Sequence, residues 1–73
     1  MTPNGHQQSI GQAHRMTDIL RIAEALRQAH VGQTMALEAG GGAMWAHAAM
    51  QSGVERLPTD MERRAIVELL EPK

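Results

Sequence analysis

Residues 17–42 decide the fold, and they read TDILRIAEALRQAHVGQTMALEAGGG. Apolar side chains recur in this stretch every three or four residues, which is the spacing of one face of an α-helix. The residues on that face are Ile19, Ile22, Ala23, Leu26, Ala29, His30 and Leu37. A narrower apolar stripe on the flank of the same helix consists of Leu20, Val31 and Met35. The pattern therefore predicts a helix with two apolar sides.

The ends of this helix are marked by residues of the usual kinds. Thr17 is suited to the N-cap, and Asp18 in the first turn suits the positive end of the helix dipole. Gly32 leaves two alternatives open, because a glycine inside a helix costs about 1 kcal/mol relative to alanine and the helix could end at His30 instead. Both apolar stripes stay in phase across Gly32, so we expect one continuous helix over 18–39. Residues 40–42 are three glycines, which end helices readily and predict a turn.

Two shorter helices are expected after the glycine turn. An alanine-rich stretch predicts a helix over 43–57. Gly53 leaves an earlier end open, and Pro58 sets the latest end because proline disfavours helix in the residue before it. Thr59 and Glu62 fit the capping-box pattern, and the apolar face behind them predicts a third helix over 60–70. Pro72 follows its end.

Residues 1–15 differ from the rest of the chain, since they contain three glutamines, two glycines, a proline and a single isolated Ile10. Such a segment buries too little apolar surface to offset the entropy lost on ordering. We therefore expect a flexible N-terminal tail over 1–15 and a single helical module over 16–73. Whether the tail has a function stays open.

The fold class that these patterns predict is all-α, namely a small helical hairpin plus a third short helix. Residues 16–73 contain ten alanines, and alanine is the strongest helix former. The chain has only 73 residues and no cysteine, so disulfides cannot support its core. Small domains without such links often complete their core by oligomerisation or against a partner, and we expect the same here.

Charge and hydropathy exclude several function classes. The formal net charge is −1, whereas proteins that grip nucleic acid usually carry a basic face. No stretch of eighteen apolar residues is present, so a membrane span is not expected. The first residues also lack a charged and then apolar leader, which makes the cytoplasm the expected compartment.

Catalytic and metal-binding patterns are not evident. The four histidines are His6, His14, His30 and His47, and no two of them are three or four residues apart, as a shared helical metal site needs. The carboxylates fit a cap and solvated helix faces, and no base accompanies the two serines. The three glycines lack the preceding strand of a nucleotide-binding loop. We therefore expect no cofactor, no metal and no enzyme activity.

A helix-turn-helix is the alternative interpretation. Ala49, Gly53 and Val54 have the spacing that often spans the turn of that motif. However, Pro58 falls where the recognition helix should already be running, and the helix that follows is mainly acidic. A small DNA-binding regulator is therefore the second hypothesis, and binding of nucleic acid is not expected to be the main function.

The leading hypothesis is a non-catalytic protein-binding module, such as an adaptor, an assembly subunit or an antitoxin-like inhibitor of a larger protein. Its basis is the apolar stripe that the other helices cannot cover, because apolar strips with polar rims mark interaction sites. The predicted partner-binding residues are Leu20, Val31, Met35 and Trp45. The predicted partner is another protein or a second copy of this chain in a homodimer.

Overall fold

The computed structural model describes the backbone of residues 3–72 and the side chains of residues 16–72. Its helices are α1 (Pro3–Gln28), α2 (Gln33–Glu38), α3 (Ala43–Gln51) and α4 (Asp60–Leu69). Residues 3–72 contain no strand, which confirms the all-α class.

The core lies where α1 packs against α3 and α4, and α2 packs against α4. The largest fully buried side chains belong to Trp45, Ile22, Leu26 and Ile66. Trp45 comes from α3, Ile22 and Leu26 from α1, and Ile66 from α4. Alanines fill the space between them and let the helices approach closely, namely Ala23, Ala36, Ala48 and Ala49. Three helices therefore share one core, and the short α2 closes its side.

The prediction of one continuous helix over 18–39 is wrong, because α1 ends at Gln28 and a new helix begins at Gln33. His30 has a φ of +62°, in the left-handed region. Its N–H donates to Arg27 O at 2.9 Å, and the Val31 N–H donates to Leu26 O at 2.9 Å. These two bonds form a Schellman motif, which satisfies the last carbonyls of α1. The break between α1 and α2 places Val31 in the core. In a continuous helix, Val31 would lie on the flank, away from the core.

Helix α2 is then held against the end of α4. The Gln33 N–H donates to Glu71 O at 2.7 Å, and Gln33 Nε2 donates to Val67 O at 3.1 Å. Because the helix is interrupted, the backbone N–H of Gln33 lacks a partner within α1, and these bonds to α4 and the residues after it supply one.

The predicted helix over 43–57 is too long, since α3 ends at Gln51. Gly53 has a φ of +83°, and its N–H donates to Met50 O at 3.2 Å. The Val54 N–H donates to Ala49 O at 2.9 Å, which completes a second Schellman motif. Pro58 is buried and lies seven residues beyond the actual helix end, so Gly53 ends the helix before the proline could.

The predicted third helix is confirmed to within one residue at its end, as α4 spans Asp60–Leu69. The Glu62 N–H donates to Thr59 Oγ1 at 3.2 Å, and the Thr59 N–H donates to Glu62 Oε1 at 2.9 Å. Both bonds of the predicted capping box are therefore present.

Helix α1 begins at Pro3, so the predicted helix start with Thr17 as N-cap is wrong. The predicted flexibility of residues 1–15 falls on side chains outside the described residues, and it stays a prediction. Within the described residues, none of the helices has the length and apolar character needed to cross a membrane.

Candidate functional site

The candidate site is an apolar groove beside the last turn of α3. Its volume is about 510 Å³. It is lined by Ala46, Ala49, Met50, Gly53, Val54, Glu55, Arg56 and Leu57. The groove thus lies between one face of α3 and the segment that leaves this helix.

Local backbone structure positions this segment. Because Gly53 adopts a left-handed conformation, the chain reverses there and Val54 returns to the core. The Ser52 hydroxyl donates to Ala49 O at 2.9 Å and adds a further bond at the same helix end. The groove wall formed by Gly53 and Val54 is therefore anchored to α3 itself.

The shape of the groove follows from the sizes of its side chains. Ala46 and Ala49 are small, so they leave a hollow where larger residues would fill the space. Two large apolar side chains border it, since Met50 is 78% exposed and Leu57 is 57% exposed. An apolar hollow with projecting apolar neighbours is suited to contact another apolar surface.

Arg56 fixes the outer part of the groove. Its Nη1 and Nη2 donate to the two carboxylate oxygens of Glu62 at 2.7 and 2.6 Å, and Nη2 also donates to Asp18 Oδ2 at 3.0 Å. The loop is thereby joined to α4 and to α1.

These contacts shift the pKa of both partners in the Arg56–Glu62 pair. The hydrogen bonds from Arg56, aided by those from Thr59, lower the pKa of Glu62 to about 2 despite its burial. The same contact raises the pKa of Arg56. Both groups are charged at neutral pH, so the guanidinium is committed to holding the loop. Glu55, also at the groove, is exposed.

The predicted partner-binding residues do not form one surface. Leu20 and Met35 are exposed, but they lie on α1 and α2 respectively. Val31 and Trp45 belong to the buried core. The predicted strip required one straight helix, and the break at His30 separates its members.

The groove residues were missed because the predicted helix ran through the segment that forms the groove. A helix over 43–57 would place Met50, Val54 and Leu57 on one face. The available signal was Gly53, which is a common residue just beyond a helix end. Ending the helix there would have assigned residues 54–57 to a loop.

Metal-ligating side chains do not cluster in the described part of the chain. No group of three or more histidine, aspartate or glutamate side chains among the described residues is placed to hold a metal ion. His30 and His47 are both exposed, one in a turn and one on α3. The chemistry that the groove itself supports is apolar contact.

Comparisons of the chain with protein-family models, with curated proteins and with solved structures found no match in any of the three.

Proposed function

We propose that this chain is a non-catalytic protein-binding module and that the groove beside α3 is its docking surface. The observation that carries the proposal is the apolar hollow of about 510 Å³ bordered by exposed Met50 and Leu57. Covering these side chains with another apolar surface removes them from water, which favours association.

The distribution of apolar residues supports the same proposal. Eight large apolar side chains are exposed in the described part of the chain, so its own core leaves much apolar surface uncovered. They are Met16, Leu20, Met35, Leu37, Met50, Leu57, Met61 and Leu69. Of these, only Met50 and Leu57 line the groove. This combination singles out the groove from the scattered exposed residues.

The occupant that we propose is a second copy of this chain. The hollow and its projecting side chains belong to one patch, and a two-fold dimer brings identical patches together. Met50 of each copy can then enter the hollow of the other. Methionine is flexible and adapts to irregular apolar surfaces. The formal net charge of −1 gives little repulsion between copies.

Adaptors, assembly subunits and antitoxin-like inhibitors are the classes of module to which the proposal applies, with the cytoplasm as the compartment. Modules of these classes act by binding another protein, and in this proposal Met50 and Leu57 bind the second copy. The self-association that we propose can be tested without knowing any further partner.

A DNA-binding role has less support from the geometry. Eight residues, 52–59, separate α3 from α4, whereas the turn of a helix-turn-helix has about three or four. The Asp60 carboxylate pairs with Arg63, which reduces the positive charge available to phosphates on α4. A mobility shift on random duplex DNA that falls steeply with salt would favour this second role.

The first experiment on the proposal is thermal melting of the full chain at a series of concentrations. A dimer that dissociates on unfolding melts at higher temperature as the concentration rises. A melting temperature that is independent of concentration would contradict self-association.

A further inference from the structure

A second depression lies between the glycine turn that joins α2 to α3 and one side of α4. Its volume is about 290 Å³, and the residues that matter here are Gly41, Trp45, Asp60, Arg63 and Arg64. It shares no lining residue with the apolar groove. Unlike the groove, it brings together several groups that can donate hydrogen bonds.

The indole of Trp45 forms the buried inner wall of the depression. Trp45 lines the depression and is only 1% exposed. Its Nε1 has no hydrogen-bond partner among the described residues, and the atom is not exposed to water. Buried tryptophan N–H groups usually have an acceptor, and each exception calls for an explanation. Because Nε1 is out of reach of a group bound in the depression, the indole is not counted among the donors, and its place in the lining makes it a reporter of binding.

Two arginines of α4 give the depression a positive charge. Arg63 pairs with Asp60, while Arg64 has no ion pair or side-chain hydrogen bond within the described part of the chain. With Asp60 counted, the three side chains carry a formal charge of +1, from two arginines and one carboxylate. Guanidinium groups bind phosphate and carboxylate oxygens with pairs of hydrogen bonds.

On the side of the depression opposite the arginines, the glycine turn leaves space for a ligand and offers a backbone N–H donor. The Gly40 N–H donates to Leu37 O at 3.2 Å and the Gly42 N–H to Ala39 O at 3.1 Å, but the Gly41 N–H has no backbone acceptor in the described residues. A Cβ at Gly41 would lie 3.7 Å from Arg63 Nη1. Gly41 therefore faces the guanidinium across a short space.

Helix α3 begins beside the same turn, and its N-terminus has neither a capping side chain nor an acidic residue to balance the helix dipole. Its N-cap is Gly42, which has no side chain to bond the first N–H groups, and no acidic residue occupies the first turn. An anion near the first turn of a helix is stabilised by the helix dipole.

We propose that this depression binds a phosphate group, with Arg63, Arg64 and the Gly41 N–H as donors and the Trp45 indole as its buried inner wall. The inference is independent of the groove and of self-association. A phosphate near neutral pH carries nearly two negative charges and several acceptor oxygens, which suits this set of donors. The group can be free phosphate or the phosphate of a small phosphoester, and the two sources are distinguishable by experiment.

The sole tryptophan of the chain makes the test direct, because one ¹H–¹⁵N spectrum contains a single indole N–H signal. The full chain is titrated at about pH 7.5, where phosphate is mostly dianionic, with inorganic phosphate or O-phospho-L-serine at constant ionic strength. We expect a saturable shift of the indole signal. Tenfold tighter binding of O-phospho-L-serine would identify a phosphoester as the source, and equal binding would identify free phosphate.

Variants show whether the shift comes from the depression. Arg63→Gln and Arg64→Gln should each weaken binding about tenfold or more, since each removes a charge-assisted contact. Gly41→Ala should also weaken binding, because its methyl group would occupy the space between the turn and Arg63. Gly41 lacks a left-handed φ and the methyl clears its neighbours, so this variant should fold. Arg21→Gln, on α1 away from the depression, is the matched control and should bind as the wild type does.

The proposal is overturned if phosphate leaves the indole signal in place. It is equally overturned if the signal moves by the same amount in wild type, the Arg64→Gln variant and the Gly41→Ala variant, because the shift would then come from elsewhere.

Discussion

Arg56 binds Glu62 with both terminal nitrogens of its guanidinium, at 2.7 and 2.6 Å from the two carboxylate oxygens. Glu62 also accepts the Thr59 N–H at 2.9 Å, so the same carboxylate caps α4 and holds the loop that forms the groove. Charge-assisted pairs of this kind have a fixed geometry. The start of α4 and the position of Leu57 in the groove are therefore coupled through one buried side chain.

Replacing Arg56 with Gln should lower the free energy of unfolding by about 1–2 kcal/mol, since Glu62 loses its charged partner in a buried position. The loss stays modest because Arg56 is 41% exposed and water reaches part of the pair. Urea unfolding followed by circular dichroism measures the change. Arg64→Gln serves as the control, because Arg64 is exposed and has no ion pair within the described residues. Equal losses in the two variants would contradict this role of Arg56.

Stability should fall in acid because of Glu62. Its pKa is about 2 in the folded chain, against an ordinary value of 4.5. A carboxyl group with a lowered folded pKa contributes stability above its unfolded pKa and loses that contribution as the pH falls towards its folded pKa. Between about pH 4.5 and 2, the urea midpoint of the wild type should therefore drop more than that of the Arg56→Gln variant. Parallel pH profiles for the two proteins would show that another group controls the acid transition.

Replacing His30 with Gly should stabilise the chain by about 0.5–1 kcal/mol. His30 holds a φ of +62°, which costs an L-residue energy that glycine avoids. Its side chain is exposed, so little packing is lost. Ala29→Gly is the control, since Ala29 has no positive φ and glycine there adds only unfolded-state entropy. Thermal melting should rise for the first variant and fall for the second. A drop in both would mean that the His30 side chain contributes a contact worth more than the strain.

The parts of the fold that the sequence predicts correctly depend on local signals. The capping box at Thr59 and Glu62 involves residues three apart, so its pattern is visible in the sequence. The all-α class also follows from composition and periodicity.

The errors occur where tertiary contacts outweigh local preference. Histidine is not a typical residue for a left-handed helix end, and the apolar stripes continued past it. The break is favourable because it buries Val31 and joins Gln33 to Val67 and Glu71, contacts more than thirty residues apart. The contact of Arg56 with Asp18 spans 38 residues, so no local pattern could predict that the groove wall is tied to α1.

The groove beside α3, as we propose, joins two copies of this chain, and one matched pair of variants tests this contact. Met50 and Met61 are 78% and 81% exposed, but only Met50 lines the groove. Lysine and methionine have similar helix propensities. Lysine near the end of α3 suits the helix dipole, whereas lysine at the start of α4 opposes it. Met61→Lys should therefore lose at least as much folding stability as Met50→Lys. Dissociation of the Met50→Lys dimer alone would then not come from reduced folding stability.

Sedimentation equilibrium of wild type, Met50→Lys and Met61→Lys at micromolar concentration is the most direct measurement. We expect the wild type and Met61→Lys to approach twice the chain mass of 8.0 kDa, and Met50→Lys to remain at the mass of one chain. Leu20→Lys and Met35→Lys test, in the same experiment, the strip that the sequence pattern predicts, and both should remain dimeric. A wild-type mass of 8.0 kDa at every concentration, or equal dissociation of the Met50 and Met61 variants, would contradict the claim.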